Sequence, residues 1–291
     1  MTSSDVCAIV VTFHPDAEVM GNLAALRPQV GALVLVDNGS SPSELAPLRS
    51  TGAALGFELI ENGENLGVAT ALNIGIRRAQ ALGFAWVLLF DQDSRVTEGF
   101  TAAMLHGFAT SPWGNRLALL VPRYQDMRHG SAIPSDWVPR NGLETAMTSG
   151  TLLRVSTFQQ HGPFVDGLFI DSVDCEYSLR LRRAGLILDE CADAILLHSP
   201  GMPTYRTLFG SGRVTVDNYS PIRRYYQERN RLWICRNYLF SFPGHCLRIL
   251  SYACKDFAKI LLWETGKAKK LRYCLRGLFD GLRGRMGRLD P

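Results

Sequence analysis

Residues 85–94 read AWVLLFDQDS, six apolar residues running directly into two carboxylates, Asp91 and Asp93, with Gln92 between them. The apolar run shows no alternation, which suits a strand covered on both faces inside a largely parallel sheet. Such a strand delivers Asp91 and Asp93 to its carboxyl end, the edge at which open parallel sheets bind ligands. In an Asp-x-Asp turn the first and third side chains can aim outward together while the middle one faces away. Taken alone the turn also suits a plain solvated acidic loop, so its company decides.

Working outward, residues 6–13 (VCAIVVTF) form another apolar, β-branched run ending at His14-Pro15, followed by helical spacing over about 17–26. Residues 32–36 (ALVLV) give a second such run, closed by the turn cluster Asp37-Asn38-Gly39-Ser40. A short strand at 57–60 and a helix at 68–81 complete a strand-helix-strand pattern, which implies parallel pairing. Asp37 and the Asp91/Asp93 pair should therefore converge on one crevice. Residues 111–150, rich in Pro, Gly, Trp and Arg, read as strands with long loops. Helical spacing returns at 173–184 with Asp171, Asp174 and Glu176 near its start, and the apolar strand 194–197 (AILL) delivers His198. Beyond Pro221 the pattern is helical. Leu247, Leu250, Cys254, Phe257 and Leu261 recur at helical spacing, as do Leu271, Cys274, Leu278 and Leu282.

With 291 residues and 46% hydrophobic content, the chain can bury one large core, or a core and a smaller appendage. No basic segment followed by a short apolar run opens it, and no apolar stretch is long enough to span a bilayer; the expected location is cytoplasmic. Seven scattered cysteines without a Cys-x-x-Cys pair argue against a zinc cluster or disulfide scaffold and read as buried thiols. The net charge of +4 is unevenly placed. Residues 245–291 hold eleven Lys or Arg against four Asp or Glu, a balance of +7 that leaves −3 for the rest. That basic, amphipathic tail suits a solvated surface, packing on the domain, a homo-oligomer contact, or peripheral attachment to an anionic membrane. No recognition motif accompanies the charge, so nucleic acid is not expected as a partner.

Breaking a bond between a sugar and a diphosphate requires the charge growing on the leaving phosphate to be neutralised, which a hard divalent cation held by carboxylates does well. Asp91 and Asp93 fit that need. Phosphatases of the haloacid dehalogenase type also place Asp-x-Asp after an apolar strand, with the first Asp, here Asp91, as nucleophile. They carry the pair near the chain start, a Thr or Val two residues on and a later lysine; here the fourth strand bears it, Arg95 follows, and no lysine precedes Lys255. A dinucleotide-binding fingerprint is missing after the first strand. A non-catalytic module binding sugar nucleotides or glycans is the remaining alternative.

Seven segments together, VVTFHP at 10–15, VDNGS at 36–40, ENLGVATALNIGI at 64–76, FDQDS at 90–94, TSGTLLR at 148–154, FIDSVDCEYSLRLRRAG at 169–185 and YYQERN at 225–230, resemble the inverting family 2 glycosyltransferases of the GT-A fold. FDQDS, FID-x-VD and YY-x-x-RN are similar to the bacterial rhamnosyltransferases within it. The resemblance implies an α/β fold, a Rossmann-like mixed sheet flanked by helices, with a catalytic domain over 1–220 and a helical extension over 221–291. Its nucleotide-binding half would be about 1–95 and its acceptor half about 96–220.

The resemblance further implies a nucleotide-sugar donor, dTDP-L-rhamnose as the leading choice, and a glycan or lipid-linked saccharide acceptor in bacterial surface polysaccharide synthesis such as O-antigen. Mg2+ or Mn2+ would be held by Asp93 with Asp91 and His198. The donor would meet Thr12, Phe13, Asp37, Asn65, Gly67, Asp91, Gln92 and Arg229, the last with Asn230 beside it. Asp174 would be the general base. Each has a structural alternative: Asp37 as a turn residue, Asn65 and Asp174 as helix caps, His198 as a bonded loop residue, and Arg229 as part of a polar helix face. The family carries Glu-Asp where this chain has Val173-Asp174, which leaves open whether Asp171 or Glu176 adds a charge.

Overall fold

A computed structural model describes residues 1–126, 132–133, 142–198, 204–208 and 212–289. The strands are β1 (Val6–Thr12), β2 (Ala32–Asp37), β3 (Glu58–Glu61), β4 (Trp86–Asp91), β5 (Ser94–Val96), β6 (Leu117–Asp126), β7 (Ala132–Ile133), β8 (Thr151–Arg154), β9 (Ile187–His198), β10 (Thr204–Leu208) and β11 (Gly212–Val216). The helices are α1 (Glu18–Leu26), α2 (Pro42–Leu55), α3 (Val68–Ala81), α4 (Phe100–Thr110), α5 (Val155–His161), α6 (Val173–Arg183), α7 (Pro221–Tyr238), α8 (Pro243–Leu262) and α9 (Lys267–Leu282).

Two compact units emerge, Met1–Asp166 with Asp174–Ser199, and Gly167–Val173 with Pro200–Pro291. The first holds a mixed sheet in the order β3-β2-β1-β4-β8-β6-β9-β5, with β7 on β6. β3, β2, β1 and β4 run parallel, and the pairing turns antiparallel at β4 with β8. Every residue of β1 is buried, as an apolar run without alternation requires when both faces are covered. α3 turns Ala69, Leu72, Ile76 and Ala79 inward at helical spacing. α2, in a stretch for which no element was expected, is capped at Ser41 by a capping box with Glu44 and stops at Gly56 in the left-handed region. Its weak apolar patterning hid it; its caps carry the signal.

β9 is three times the expected strand. It begins at Ile187, and its register on β6 jumps between Cys191 opposite Pro122 and Ile195 opposite Arg123. That irregularity re-aims the strand's last residues. Of the loop-rich middle, 111–126, 132–133 and 142–150 are described, with β6 and β7 among them, while 127–131 and 134–141 lie outside the described residues.

The second unit contains the antiparallel β10–β11 ribbon and the helices α7 to α9. It takes in more than the tail from residue 221, because α7 holds the 167–171 segment by side chains. Arg229 donates to the carbonyls of Gly167 and Leu168, and Asn230 Nδ2 donates to those of Leu168, Ile170 and Asp171. Phe169, Asp171 and Ser172 all sit in the left-handed region with φ near 62–65°, a conformation costly for residues with side chains. Five hydrogen bonds from two neighbouring side chains of one helix hold the segment there. A buried charge cluster ties the three helices: Glu264 accepts from Arg224 and from Lys270 Nζ, and Asp256 accepts from Arg231 at 2.6 Å. The cysteines are all free; Cys7, Cys191, Cys246 and Cys274 are buried, but Cys254 is exposed on α8, which corrects the reading of seven buried thiols.

Candidate active site

Register alone aligns three of the expected residues on one edge. Thr12, the last residue of β1, pairs with Asp37, the last of β2, and Val11 pairs with Asp91, the last of β4. Their roles at that edge differ. Asp37 is fully buried, and its carboxylate accepts from Thr12 Oγ1, Ser40 Oγ and the amides of Gly39 and Ser40. Four donors fill the capacity of a carboxylate, so Asp37 and Thr12 shape the turn from beneath. Asn65 Oδ1 accepts from Asn38 Nδ2 and the Gly67 amide. The cap position of α3 belongs to Gly67, at φ 87°, rather than to Asn65. Asn38 in turn accepts from Asn62 Nδ2 and the Leu66 amide, so the loops after β2 and β3 are stapled together.

Gln92 is the hinge of the acidic turn. Its side-chain amide accepts from the Phe13 N–H at 2.8 Å and donates to the Phe13 carbonyl at 3.2 Å, as a neighbouring strand would. Its own carbonyl accepts from Asn22 Nδ2. Clasped in this way, Gln92 pins the Phe13 backbone, and the Phe13 side chain stands exposed.

His198 arrives through β5. That strand starts one residue after Asp93 and pairs antiparallel with β9, placing Ser94 opposite His198. His198 Nδ1 consequently lies 3.8 Å from Asp93 Oδ1 and 3.3 Å from Ser94 Oγ. Behind this pair runs a buried chain: the Asp91 amide donates to Ser149 Oγ at 3.1 Å, and Ser149 Oγ donates to Ser94 Oγ at 2.8 Å. Tyr124 Oη donates to the Ser149 carbonyl. Gly150, next in line, needs both its positive φ of 79° and its missing side chain, since a Cβ would come within 2.6 Å of Pro122. Ser94 and Ser149 lie inside FDQDS and TSGTLLR, where the sequence assigns neither a role. The motifs held them; the strand pairing that joins them was not readable.

Asp174 lies in the first turn of α6, inside the helix rather than at its cap, and accepts from the Cys175 amide at 2.8 Å. A helix start favours the ionised carboxylate there. Burial, then Asp93, then Asp174, push the Asp91 carboxyl up to about 7. Asp91, Asp93 and Asp174 thus share one field. Glu176 is buried and spent on Arg180 in a two-point ion pair, and Asp171 pairs with Arg223. Arg229, expected at the diphosphate, is 1% exposed with its guanidinium donating to the carbonyls of Gly167, Leu168 and Gly287. It holds a loop, because three backbone acceptors and two tyrosine rings enclose it.

Among the described residues no group of three or more His, Cys, Asp or Glu is arranged to hold a metal ion. Asp93 and His198 nevertheless fit a shared divalent cation. Ligands at about 2.1 Å from an octahedral ion lie roughly 3 to 4 Å apart, and Mg2+ habitually takes one or two protein groups together with substrate phosphates.

A mixed sheet with a parallel half, β3-β2-β1-β4, a second half of mixed pairing, and acidic residues at strand ends is the arrangement of the GT-A fold. A Glycosyl transferase family 2 model matches residues 8–132. The chain is 26% identical to the dTDP-rhamnosyl transferase RfbF of Shigella flexneri over 98% of both sequences. It is 29% identical to the galactofuranosyltransferase GlfT1 of Mycolicibacterium smegmatis, over 84% of this chain and 86% of that one. Among solved structures, S. aureus TarS 1–349 in complex with UDP-GlcNAc matches with a TM-score of 0.60 at 14% identity, over 98% of this chain and 82% of that one. The mannosyltransferase PcManGT from Pyrobaculum calidifontis, in complex with GDP-Man and Mn2+, matches with a TM-score of 0.55 at 14% identity, over 97% and 88%. The chain carries a family 2 glycosyltransferase domain and has the GT-A fold, which displaces the phosphatase reading of Asp91.

Proposed function

We propose that this protein transfers a sugar, L-rhamnose from dTDP-L-rhamnose, to a hydroxyl of a saccharide acceptor, glycan or lipid-linked, in surface polysaccharide synthesis. Asp91 at the carboxyl end of β4, followed by Asp93 3.8 Å from His198 and with Asp174 near enough to help raise the Asp91 carboxyl, supports the chemistry. The end-to-end similarity to a dTDP-rhamnosyl transferase supports the donor. A bound Mg2+ or Mn2+ would supply positive charge against the departing diphosphate. Asp93 and His198 are the residues to hold it, with Asp91 adjoining. Phe13, exposed beside them, offers a face to the nucleotide base, while Thr12, Asp37, Asn65, Gly67 and Gln92 keep the edge in shape.

Asp174, in the first turn of α6, takes the proton of the acceptor hydroxyl as that oxygen attacks the anomeric carbon. Attack opposite the leaving diphosphate inverts the anomeric centre, as in an inverting glycosidase with the acceptor in place of water. The GlfT1 similarity favours a second donor, a galactofuranosyl nucleotide. A thermal-shift and calorimetry panel of nucleotide sugars with and without Mn2+ tests both. A metal-dependent response to dTDP-L-rhamnose above the others is expected; preference for a galactofuranosyl donor favours the second reading, and response to no nucleotide sugar sinks both.

A further inference from the structure

The C-terminal helices turn the wrong face outward for a core. On α8, Leu247, Leu250, Cys254, Ala258, Leu261 and Leu262 share one side at helical spacing, and that side is exposed, Leu247 at 64% and Leu261 at 55%. On α9, Leu275, Phe279 and Leu282 do the same, reaching 70% at Leu282, while Lys270, Cys274, Gly277 and Gly281 face inward. Gly277 lies against the Tyr225 backbone, where a Cβ would come within 2.3 Å of the carbonyl oxygen. Close approach to α7 thus uses the small residues and leaves the leucines outside.

Charge is sorted in the same direction. From 243 to 289 the acids are Asp256, Glu264 and Asp280, and each is turned inward. Asp256 pairs with Arg224 and Arg231, Glu264 with Arg224 and Lys270, and Asp280 accepts from Tyr225. Cations border the apolar stripes instead: Arg248 and Lys255 are exposed along α8, and Lys269, Arg272, Arg276 and Arg283 along α9. The Arg283 guanidinium covers the Phe279 ring at 3.8 Å. Among the described residues no helix is long and apolar enough to cross a membrane.

We propose that the outward faces of α8 and α9 dock on the surface of an anionic lipid bilayer, the leucines entering the acyl boundary and the flanking cations meeting headgroups. An apolar stripe edged by Lys and Arg, with every acid withdrawn, is complementary to that surface. A protein partner would be met as well by a stripe edged with both signs. The sequence pattern placed Leu247, Leu250 and Leu261 on the face of α8 that is exposed, but of its stripe on α9 only Leu282 is exposed: Leu271, Cys274 and Leu278 are covered or half-covered, and the outward face is Leu275, Phe279 and Leu282.

Vesicle flotation of the full chain, without sugar nucleotide, tests this independently of the transfer reaction. Phosphatidylcholine vesicles with and without 30% phosphatidylglycerol, at low and high salt, are the probes. The chain should float with anionic vesicles, little with neutral ones, and less at high salt. Neutralising Lys255, Lys269 and Arg272 to Gln should weaken partitioning about five-fold per charge, on the order of a hundred-fold together. Leu250→Ser with Leu261→Ser should weaken it about ten-fold or more. These residues are exposed, so circular dichroism and the melting temperature should not move; if a variant misfolds, the composition and salt dependence of the unaltered chain still decide. No binding to anionic vesicles at low salt, or a dimer in sedimentation equilibrium that these leucine changes dissociate without vesicle binding, overturns the proposal.

Discussion

The Ser149 hydroxyl donates to the Ser94 hydroxyl at 2.8 Å, joining the backbone of Asp91 to the ring of His198 through two buried side chains. Ser149→Ala removes a buried acceptor from the Asp91 amide and a donor from Ser94, and should cost about 1–3 kcal/mol. Ser94→Ala should cost less, since its loss leaves the Ser149 contact to Asp91 in place. Because both act in one chain, the double variant should lose less than the sum. Urea denaturation of the four proteins measures this; strict additivity would show that the serines act independently.

Asp174→Asn keeps the size of the side chain and its contact with the Cys175 amide but abolishes its use as a base. Turnover should fall about 10²–10⁴-fold while donor affinity holds. Product formation at saturating donor, with calorimetry of donor binding, separates the two. A drop in affinity matching the drop in turnover would move Asp174 from the reaction to the binding of the donor.

Metal dependence should track Asp93 and His198. His198→Ala should raise the Mn2+ concentration for half-maximal binding at least about ten-fold, the size that changes in outer contacts already produce. Electron paramagnetic resonance of free Mn2+ reads this without any turnover. Chelation should remove transfer activity, and added Mn2+ should restore it.

Asp91 carries a cost in stability. Its carboxyl is raised from the ordinary 3.8 to about 7 by burial and two neighbouring acids. Below about 4 both folded and unfolded forms are protonated and the group is neutral in its effect. As pH rises from about 4 toward 7 the unfolded chain ionises first, so stability falls, and above about 7 the loss is constant. Asp91→Asn should therefore melt higher at neutral pH, with the gain absent near pH 4. Melting curves across that range test the sign.

Two packing changes probe the two units separately. In Gly75→Ala the new Cβ would come within 2.3 Å of Ile9 Cγ2, overpacking α3 against the central strand β1 by about 1–3 kcal/mol. In Glu264→Ala, Arg224 and Lys270 lose the carboxylate they share, and stranding buried cations should cost about 3–5 kcal/mol. Each is read by denaturation of the full chain.

Much of the nucleotide-type half was legible because parallel strands buried on both faces must be continuous apolar runs. β1, β2 and β4 stand out from VCAIVVT, ALVLV and WVLLF, and their shared direction places Asp37 and Asp91 at one edge before any coordinates. What each carboxylate does there was not legible. Asp37 is consumed by four local donors, a matter of loop closure. Arg229 and Asn230 looked like donor contacts in YYQERN, yet they are buried on the carbonyls of 167–171, because a strained turn far off in sequence needs those donors. His198 approaches Asp93 only through the antiparallel pairing of β5 with β9 and the irregularity at Cys191–Ile195. The same limit governs the tail. Periodicity showed that α8 and α9 are amphipathic, but which face is covered depends on the small residues Gly277 and Gly281 against α7 and on three acids drawn inward. Strand direction and apolar periodicity are local properties that a sequence carries in full, whereas the partner of a polar group and the covered face of a helix are set by elements distant in the chain.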